Sequence, residues 1–241
     1  MRLLKTMLVS HRKQFIYTKT GKTGGTSIES YFEPSCMPDN EWSFSHARDE
    51  YVNSTGIIGY RGNNSKGKKW YNHMSAKEIK VILGNYIWDK YFKFCAIRHP
   101  FDKLISEFYF FENSLNKSSL LNLNFFKFRI PLLLGGNSNN EIDRFRYWVL
   151  KYGYPSDRDK YLIDGKVCID YFIKYENFKD GIQHVCSILG IDFASEHIRR
   201  LKSGIRPSNY SIKDYYDTKT IEIVLERYEF EMELFGYDIP F

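Results

Sequence analysis

The chain has 241 residues, which is enough for one large domain or two small ones, and 43% of them are hydrophobic. This composition suits a globular core and excludes a chain that is disordered throughout. The net charge of +6 is too small for a dedicated nucleic-acid binder, but it suits a protein whose ligand is a small anion.

The first ten residues, MRLLKTMLVS, resemble the start of a signal peptide. The apolar run is short, however, and the basic HRK follows it without a small-residue cleavage site. No stretch of the sequence approaches the ~18 apolar residues that a transmembrane helix needs. We therefore expect a soluble, cytoplasmic protein without a membrane anchor.

The cysteines have neither CxxC spacing nor the pairing with histidine that is typical of metal sites. We expect buried free thiols and no bound metal. The four residues are Cys36, Cys95, Cys168 and Cys186.

The segment QFIYTKT (14–20) is rich in β-branched and aromatic residues and leads into glycines, which predicts a strand that ends in a tight loop. TSIESYF (26–32) then predicts a helix that Pro34 ends. A strand, a glycine-rich loop and a helix in this order direct backbone N–H groups toward a bound anion.

Further along, GIIGY predicts a short strand and MSAKEIKVILG (74–84) a capped helix. YFKFCAI (91–97) is a continuous apolar strand, as in a parallel sheet that is covered on both sides. Arg98 stands at its C-terminal end. FDKLISEFYFFENSL (101–115) predicts a helix with Pro100 in its first turn.

Residues 112–140 differ in composition, since asparagine, serine and leucine alternate there with aromatics. A lid or substrate-facing insertion within 112–160 and an ordinary helix pair with a loop both fit. KVCIDYFIKYENF (166–178) predicts a strand before the helix DGIQHVCSILG, and residues 219–237 predict a long amphipathic helix. The alternation favours a single α/β domain with a mainly parallel sheet flanked by helices.

The spacing of the glycine-rich loop differs from that of P-loop NTPases. G-x-x-x-x-G-K-[ST] needs a glycine at position 16, which is Ile16, and here the pair Gly24 and Gly25 follows Lys22. The loop suits a compact terminal anion, with Lys22 as a point charge. Its other donors are backbone amides and the hydroxyls of Thr23, Thr26 and Ser27. A purely structural turn with a solvated lysine is the alternative.

A second motif, RHPFDKLIS, places Arg98 at a strand end and Ser106 eight residues later. Arginine is a preferred phosphate ligand because its guanidinium is planar and always charged. A hydroxyl about two turns into the adjoining helix can reach the same anion.

Together the two motifs resemble those of sulfotransferases that use 3′-phosphoadenosine-5′-phosphosulfate (PAPS). KTGGTS resembles the 5′-phosphosulfate loop of that family, and RHPFDKLIS resembles its 3′-phosphate motif. NHMSAKEIKVILG, YENF and the closing YYD…IEIV…ELFGYD resemble the carbohydrate-type branch, the sulfotransferase family 2 domain. The resemblance covers nearly the whole chain. It departs at Gly21, where many relatives have Pro, at His99, where Asn or Asp is common, and at Lys103, where Arg is frequent.

The resemblance implies a P-loop-like sulfotransferase fold over 1–241, with PAPS as donor, PAP as product and no metal requirement. It implies in-line transfer to an acceptor hydroxyl on a carbohydrate or glycolipid. A glycolipid acceptor would bring the protein into peripheral contact with a membrane. The implied cofactor-binding residues are Lys22, Thr23, Gly24, Gly25, Thr26, Ser27, Arg98, Ser106 and, in a late basic loop, Arg206 and Ser208.

The acceptor hydroxyl needs a general base. His73 is preferred, since it lies on a loop between the two cofactor motifs and the unperturbed histidine pKa of ~6.5 is near working pH. His46 and Glu29 are the alternatives. In the alternative interpretation, His73 has a purely structural role and only makes a hydrogen bond beside the start of the following helix.

Three other functions are weighed against this one. A nucleotide or small-molecule kinase would need a set of Mg²⁺ ligands, and the loop spacing disfavours it. A non-catalytic protein would bind PAP and transfer nothing. A nucleic-acid binder is disfavoured because the aromatic residues fall at core spacing. Loop aromatics such as Trp42, Trp70 and Tyr71 can either stack on sugar rings or pack in the core. The sequence does not predict the oligomeric state.

Overall fold

The computed structural model describes residues 7–62, 65–71, 73–116, 140–152, 156–199, 201 and 210–241. The chain divides into two compact units. The sheet unit consists of Arg2–Ile97 and Ser156–Leu201. The helical unit consists of Met1, Arg98–Pro155 and Lys202–Phe241.

All strands of the described residues belong to the sheet unit. They are β1 (Met7–Ser10), β2 (Phe15–Thr18), β3 (Tyr51–Val52), β4 (Gly56–Ile58), β5 (Phe92–Ile97), β6 (Leu162–Ile163), β7 (Lys166–Val167) and β8 (Tyr171–Lys174). Six of these strands form one sheet in the order β3-β4-β1-β2-β5-β8, and β6 and β7 form a separate hairpin.

The helices of the described residues are likewise divided between the units. The sheet unit holds α1 (Gly25–Phe32), α2 (Ala76–Leu83), α3 (Asn85–Lys90) and, later in the chain, α6 (Phe178–Leu189). The helical unit holds α4 (Pro100–Asn116), α5 (Glu141–Tyr152), α7 (Ile212–Tyr215) and α8 (Thr218–Phe235). Within the described ranges, no helix is both long and apolar enough to cross a bilayer.

The sheet is mixed rather than mainly parallel, which refines the predicted α/β fold. β2 pairs in parallel with β5, and β5 pairs in parallel with β8. The pairs β1–β2, β1–β4 and β3–β4 are antiparallel. A tight turn joins β1 to β2, and only antiparallel neighbours allow so short a connection. The parallel half of the sheet therefore contains the strand that precedes the glycine-rich loop.

Both faces of the sheet are covered, because successive side chains of a strand point to opposite faces. In β2, Phe15 and Tyr17 belong to a core cluster that includes residues of α1 and α6. Ile16 belongs to the cluster on the other face, with residues of α2 and α3. β2 is thus anchored on both sides just before the loop begins.

Local signals for helices are confirmed where capping chemistry marks them. α2 begins with the capping box in which Glu78 N donates to Ser75 Oγ (3.2 Å) and Ser75 N donates to the Glu78 carboxylate (2.8 Å). The single strand predicted over 166–178 is wrong in part. It is divided into β7, which the turn at Asp164 and Gly165 pairs with β6, and β8, which pairs with β5.

The core of the helical unit consists mainly of aromatic side chains. Phe101 and Phe108 of α4 pack with Phe145 and Trp148 of α5, and all four are buried. The described part of the proposed lid within 112–160 is thus partly a core helix. Residues 117–139 lie outside the described ranges, so the lid stays a prediction.

Candidate functional site

The glycine loop, residues 19–24, joins the end of β2 to the start of α1. Thr20 Oγ1 donates to the carbonyl oxygen of Ala96 and lies 2.8 Å from Thr23 Oγ1. These bonds tie the loop to the end of the neighbouring parallel strand. Lys22 (φ 59°) and Gly24 (φ 76°) both adopt the left-handed conformation. For Lys22 this costs roughly 1–2 kcal/mol, which the surrounding bonds must offset.

The first turn of α1 provides an uncapped set of N–H donors. Gly24 occupies the N-cap position and has no side chain to bind them, and no acidic residue stands in the first turn. The first N–H groups of a helix carry the positive end of its dipole, and here the Ser27 N–H also donates to Gly24 O (2.9 Å) in a tightened first turn. This arrangement, with Thr26 and Ser27 in the same turn, suits a small anion.

The two glycines at the start of α1 allow close packing of the backbone. A Cβ atom added at Gly24 would lie 2.7 Å from Phe178 Cε2. A Cβ atom at Gly25 would lie 2.8 Å from Lys19 Cε and 3.1 Å from Tyr17 Oη. Neither position has room for a side chain, because Phe178 packs on Gly24 and the Lys19 and Tyr17 side chains pack on Gly25.

We expect Gly24→Ala to destabilise the protein more than Gly190→Ala. Both glycines have left-handed φ, 76° and 58°, so both substitutions carry the same strain of ~1–2 kcal/mol. Only at Gly24 does the new methyl group meet Phe178, and overpacking adds about 1–3 kcal/mol. Urea denaturation of both variants measures the difference. Equal losses of unfolding free energy would show that the Phe178 ring does not restrict this position.

Beneath α1 lies a network of buried ion pairs. Lys19 Nζ is 2.5 Å from Glu29 Oε2, and Arg61 Nη1 is 3.2 Å from the same oxygen. Arg61 Nη1 also lies 2.7 Å from Glu33 Oε1, and Arg48 Nε lies 3.2 Å from Glu33 Oε2. Both glutamates are fully buried. Burial alone would lower the pKa of Arg61, and the two carboxylates raise it above its usual value.

His73 is bonded to the start of the glycine loop. Its Nδ1 lies 2.7 Å from the carbonyl oxygen of Lys19. A carbonyl oxygen only accepts, so Nδ1 carries the proton and Nε2 is the basic nitrogen. Burial, assisted by the Lys19 ammonium, lowers the pKa of His73 to about 4, while Asp157 and Glu29 act in the opposite direction. His73 is therefore neutral near pH 7 and able to accept a proton.

The two alternative bases have different surroundings. Glu29 is buried and paired with Lys19 and Arg61, which stabilise its ionised form and tie up one oxygen. His46 is exposed, its ring packs against Phe44 with centroids 5.0 Å apart, and its carbonyl oxygen accepts from Arg61 Nε. His73 thus bonds to the backbone of the glycine loop, whereas Glu29 pairs with the Lys19 side chain.

One residue at the loop was missed in the sequence. Gly21 N donates to Asp157 Oδ2 over 2.9 Å. The two residues are 136 positions apart, and no local pattern around Asp157 marks it. Arg61 was missed for the same reason, since only the folded chain brings it to Glu29, whereas Lys19 was missed although it lies in the loop segment.

Arg98 and Ser106 belong to the helical unit. Arg98 Nε and Nη2 each lie 2.7 Å from Asp102 Oδ2, one helical turn further on. Ser106 lies another turn along α4 and is partly exposed. Asp102 and Ser106 are four residues apart and lie along one side of α4, and Arg98, two residues before the helix, pairs with Asp102. Arg206 and Ser208 lie outside the described residues.

Among the residues that the structure describes, no group of three or more His, Cys, Asp or Glu side chains is arranged to hold a metal ion. A family model described as "Sulfotransferase family" matches residues 5–238, nearly the whole chain. Comparisons with curated proteins and with solved structures find no match.

Proposed function

Because the chain belongs to the sulfotransferase family, we propose that it transfers a sulfuryl group from PAPS to an acceptor hydroxyl on a carbohydrate or glycolipid. The glycine loop carries the proposal. Its helix start without a side-chain cap and its lysine fit a compact terminal anion.

In this proposal the glycine loop binds the 5′-phosphosulfate group. Lys22 contributes the charge, backbone amides contribute fixed donors, and the hydroxyls are those of Thr23, Thr26 and Ser27. The expectation from the sequence that Arg98 and Ser106 bind the 3′-phosphate is retained. Arg206 and Ser208 of the late basic loop likewise stay proposed cofactor-binding residues. PAPS supplies the sulfuryl group, and PAP is the product.

His73 is proposed as the general base. Its Nε2 would accept the proton of the acceptor hydroxyl as the new bond from oxygen to sulfur forms and the bond from sulfur to the 5′-phosphate oxygen breaks. Lys22 and the amides of the first turn of α1 would stabilise the negative charge that grows on that phosphate oxygen. The hydrogen bond from Nδ1 to Lys19 O supports this role, because it orients the ring.

The lowered pKa of His73 leads to a prediction about pH. A base works in its neutral form, so a pKa of about 4 instead of ~6.5 moves the acidic limb of kcat/KM down toward pH 4. We expect kcat/KM to be nearly constant between about pH 5.5 and pH 7.5. Radiolabelled PAPS and an acceptor found by screening measure the profile, and circular dichroism monitors folding. An acidic limb near pH 6.5 would contradict the structure's environment for His73.

The proposed function is tested first by ligand binding. Melting temperatures are measured with PAP and, separately, with ATP–Mg²⁺, for the wild type, Arg98→Ala and the surface control Lys77→Ala. Ligand at a hundredfold over its Kd stabilises the folded state by ~2.7 kcal/mol. We expect a rise with PAP that Arg98→Ala abolishes and Lys77→Ala retains.

Other outcomes identify the alternatives. A rise with ATP–Mg²⁺ and none with PAP would refute the proposal in favour of a kinase. Binding of PAP without transfer of label from PAPS to any acceptor in a carbohydrate and glycolipid panel would identify a non-catalytic PAP-binding protein. No rise with either ligand would leave the glycine loop as a structural turn.

A further inference from the structure

Asp157 contacts the glycine loop from a distant part of the chain. Its Oδ2 accepts a hydrogen bond from Gly21 N over 2.9 Å. The backbone of Asp157 is itself fixed, since its carbonyl oxygen accepts from Lys160 N (2.8 Å) at the 3₁₀ turn Arg158–Lys160. The carboxylate is thus presented to the loop by an ordered segment of the same unit.

The bond restrains a glycine in a strained loop. Lys22 directly follows Gly21 and holds a φ of 59°, which a non-glycine residue keeps only when its surroundings enforce it. The hydroxyls of Thr20 and Thr23, which flank Gly21 and Lys22, bond to each other, and that of Thr20 also donates to Ala96 O. The Gly21 amide is held by Asp157.

Gly21 also makes such a restraint necessary. A proline here would fix φ by its ring and would have no N–H to donate. Glycine has the largest backbone freedom of any residue, and ordering it costs the most conformational entropy. The hydrogen bond from Asp157 therefore restrains the backbone of residue 21, which a proline ring at that position would restrain covalently.

We propose that Asp157 is a positioning residue, which holds the Gly21 amide so that the glycine loop keeps the conformation that binds the 5′ end of PAPS. This inference rests on the proposed function. Asp157 acts through the loop and needs no contact with the reacting atoms. It also places a negative charge near an anion site, so a competing possibility is that the carboxylate occupies the loop in place of the anion.

The first experiment measures PAP affinity by calorimetry for the wild type, Asp157→Ala, Asp157→Asn and the control Asp164→Asn. Asp164 is an exposed aspartate with left-handed φ, which asparagine tolerates. We expect Asp157→Ala to weaken PAP binding about tenfold and Asp157→Asn to stay within about threefold, because an amide oxygen accepts the same bond. Unchanged affinity in Asp157→Ala would overturn the inference. Tighter PAP binding in both Asp157→Ala and Asp157→Asn would also overturn the inference. It would show that the Asp157 carboxylate competes with the anion for the loop.

A second measurement does not depend on any ligand. Selective ¹⁵N-glycine labelling gives the amide exchange rates of Gly21 and Gly24. Asp157→Ala should speed exchange at Gly21 about tenfold, whereas Asp157→Asn should leave it near the wild-type rate. An unchanged rate in Asp157→Ala overturns the inference whether or not PAP binds. A faster rate in a protein that does not bind PAP would confirm the restraint and refute the proposed function.

The proline substitution provides a coupling test. In a Gly21→Pro background the ring restrains the loop and no N–H remains for Asp157. Adding Asp157→Ala to Gly21→Pro should then change PAP affinity less than twofold, in contrast to the tenfold loss expected in the wild-type background. A loss that persists in the proline background would show that Asp157 acts by another route.

Discussion

Lys22→Ala is expected to lower kcat of sulfuryl transfer by about 10²–10³-fold while the protein stays folded. Charge grows on the leaving phosphate oxygen during transfer, and a fixed cation at that position stabilises the transition state more than the ground state. At this φ, alanine and lysine have the same left-handed backbone strain. The substitution is therefore not expected to change the stability of the loop conformation.

The effect of Lys22→Ala is separated from general damage by two comparisons. Lys22→Arg keeps a positive charge and should recover part of kcat, and Lys77→Ala removes an exposed lysine far from the loop in sequence and should change nothing. Steady-state kinetics with labelled PAPS give kcat and KM separately. A raised KM with unchanged kcat would show that Lys22 binds substrate and transition state equally, and would contradict its proposed role.

The elements that the sequence predicted best are those with local chemical signals. The strand before the glycine loop is marked by β-branched and aromatic residues, and the helix after residue 75 is marked by its capping box. In the antiparallel half of the sheet, the sequence predicted the strand GIIGY, which is β4, but not its pairing with β1 and β3. Strand order depends on contacts between distant segments. The apolar run Met7–Ser10 forms the buried strand β1, but its sequence does not indicate which strand it pairs with.

The candidate site divides in the same way. Lys22 and the glycines were predicted, since a motif of consecutive residues carries them. The partners that hold this loop in place were not, because Asp157 and Arg61 stand in no motif and become neighbours of the loop and of α1 only through the topology. The lowered pKa of His73 could not be predicted from the sequence either, since it results from burial and the Lys19 charge in the folded chain.

Arg61→Ala should have the largest effect on stability among single substitutions in the buried network. Arg61 is 4% exposed, and its guanidinium contacts Glu29, Glu33 and the carbonyl oxygens of Ser45 and His46. Removing it leaves buried acceptors without their shared donor. Breaking a buried ion pair from one side costs about 3–5 kcal/mol, which a urea titration measures directly.

A surface pair supplies the control for Arg61→Ala. Lys77 and Asp164 form an ion pair of 2.8 Å in which both side chains are mostly exposed, so Lys77→Ala should change the unfolding free energy little. A small effect of Arg61→Ala, similar to that of Lys77→Ala, would show that the network is dispensable. Because Glu29 lies on α1 and Glu33 directly follows it, a loosened network should also disturb the helix start that the glycine loop precedes. Arg61→Ala is therefore expected to weaken PAP binding as well as stability, although the residue lies outside the predicted cofactor motifs.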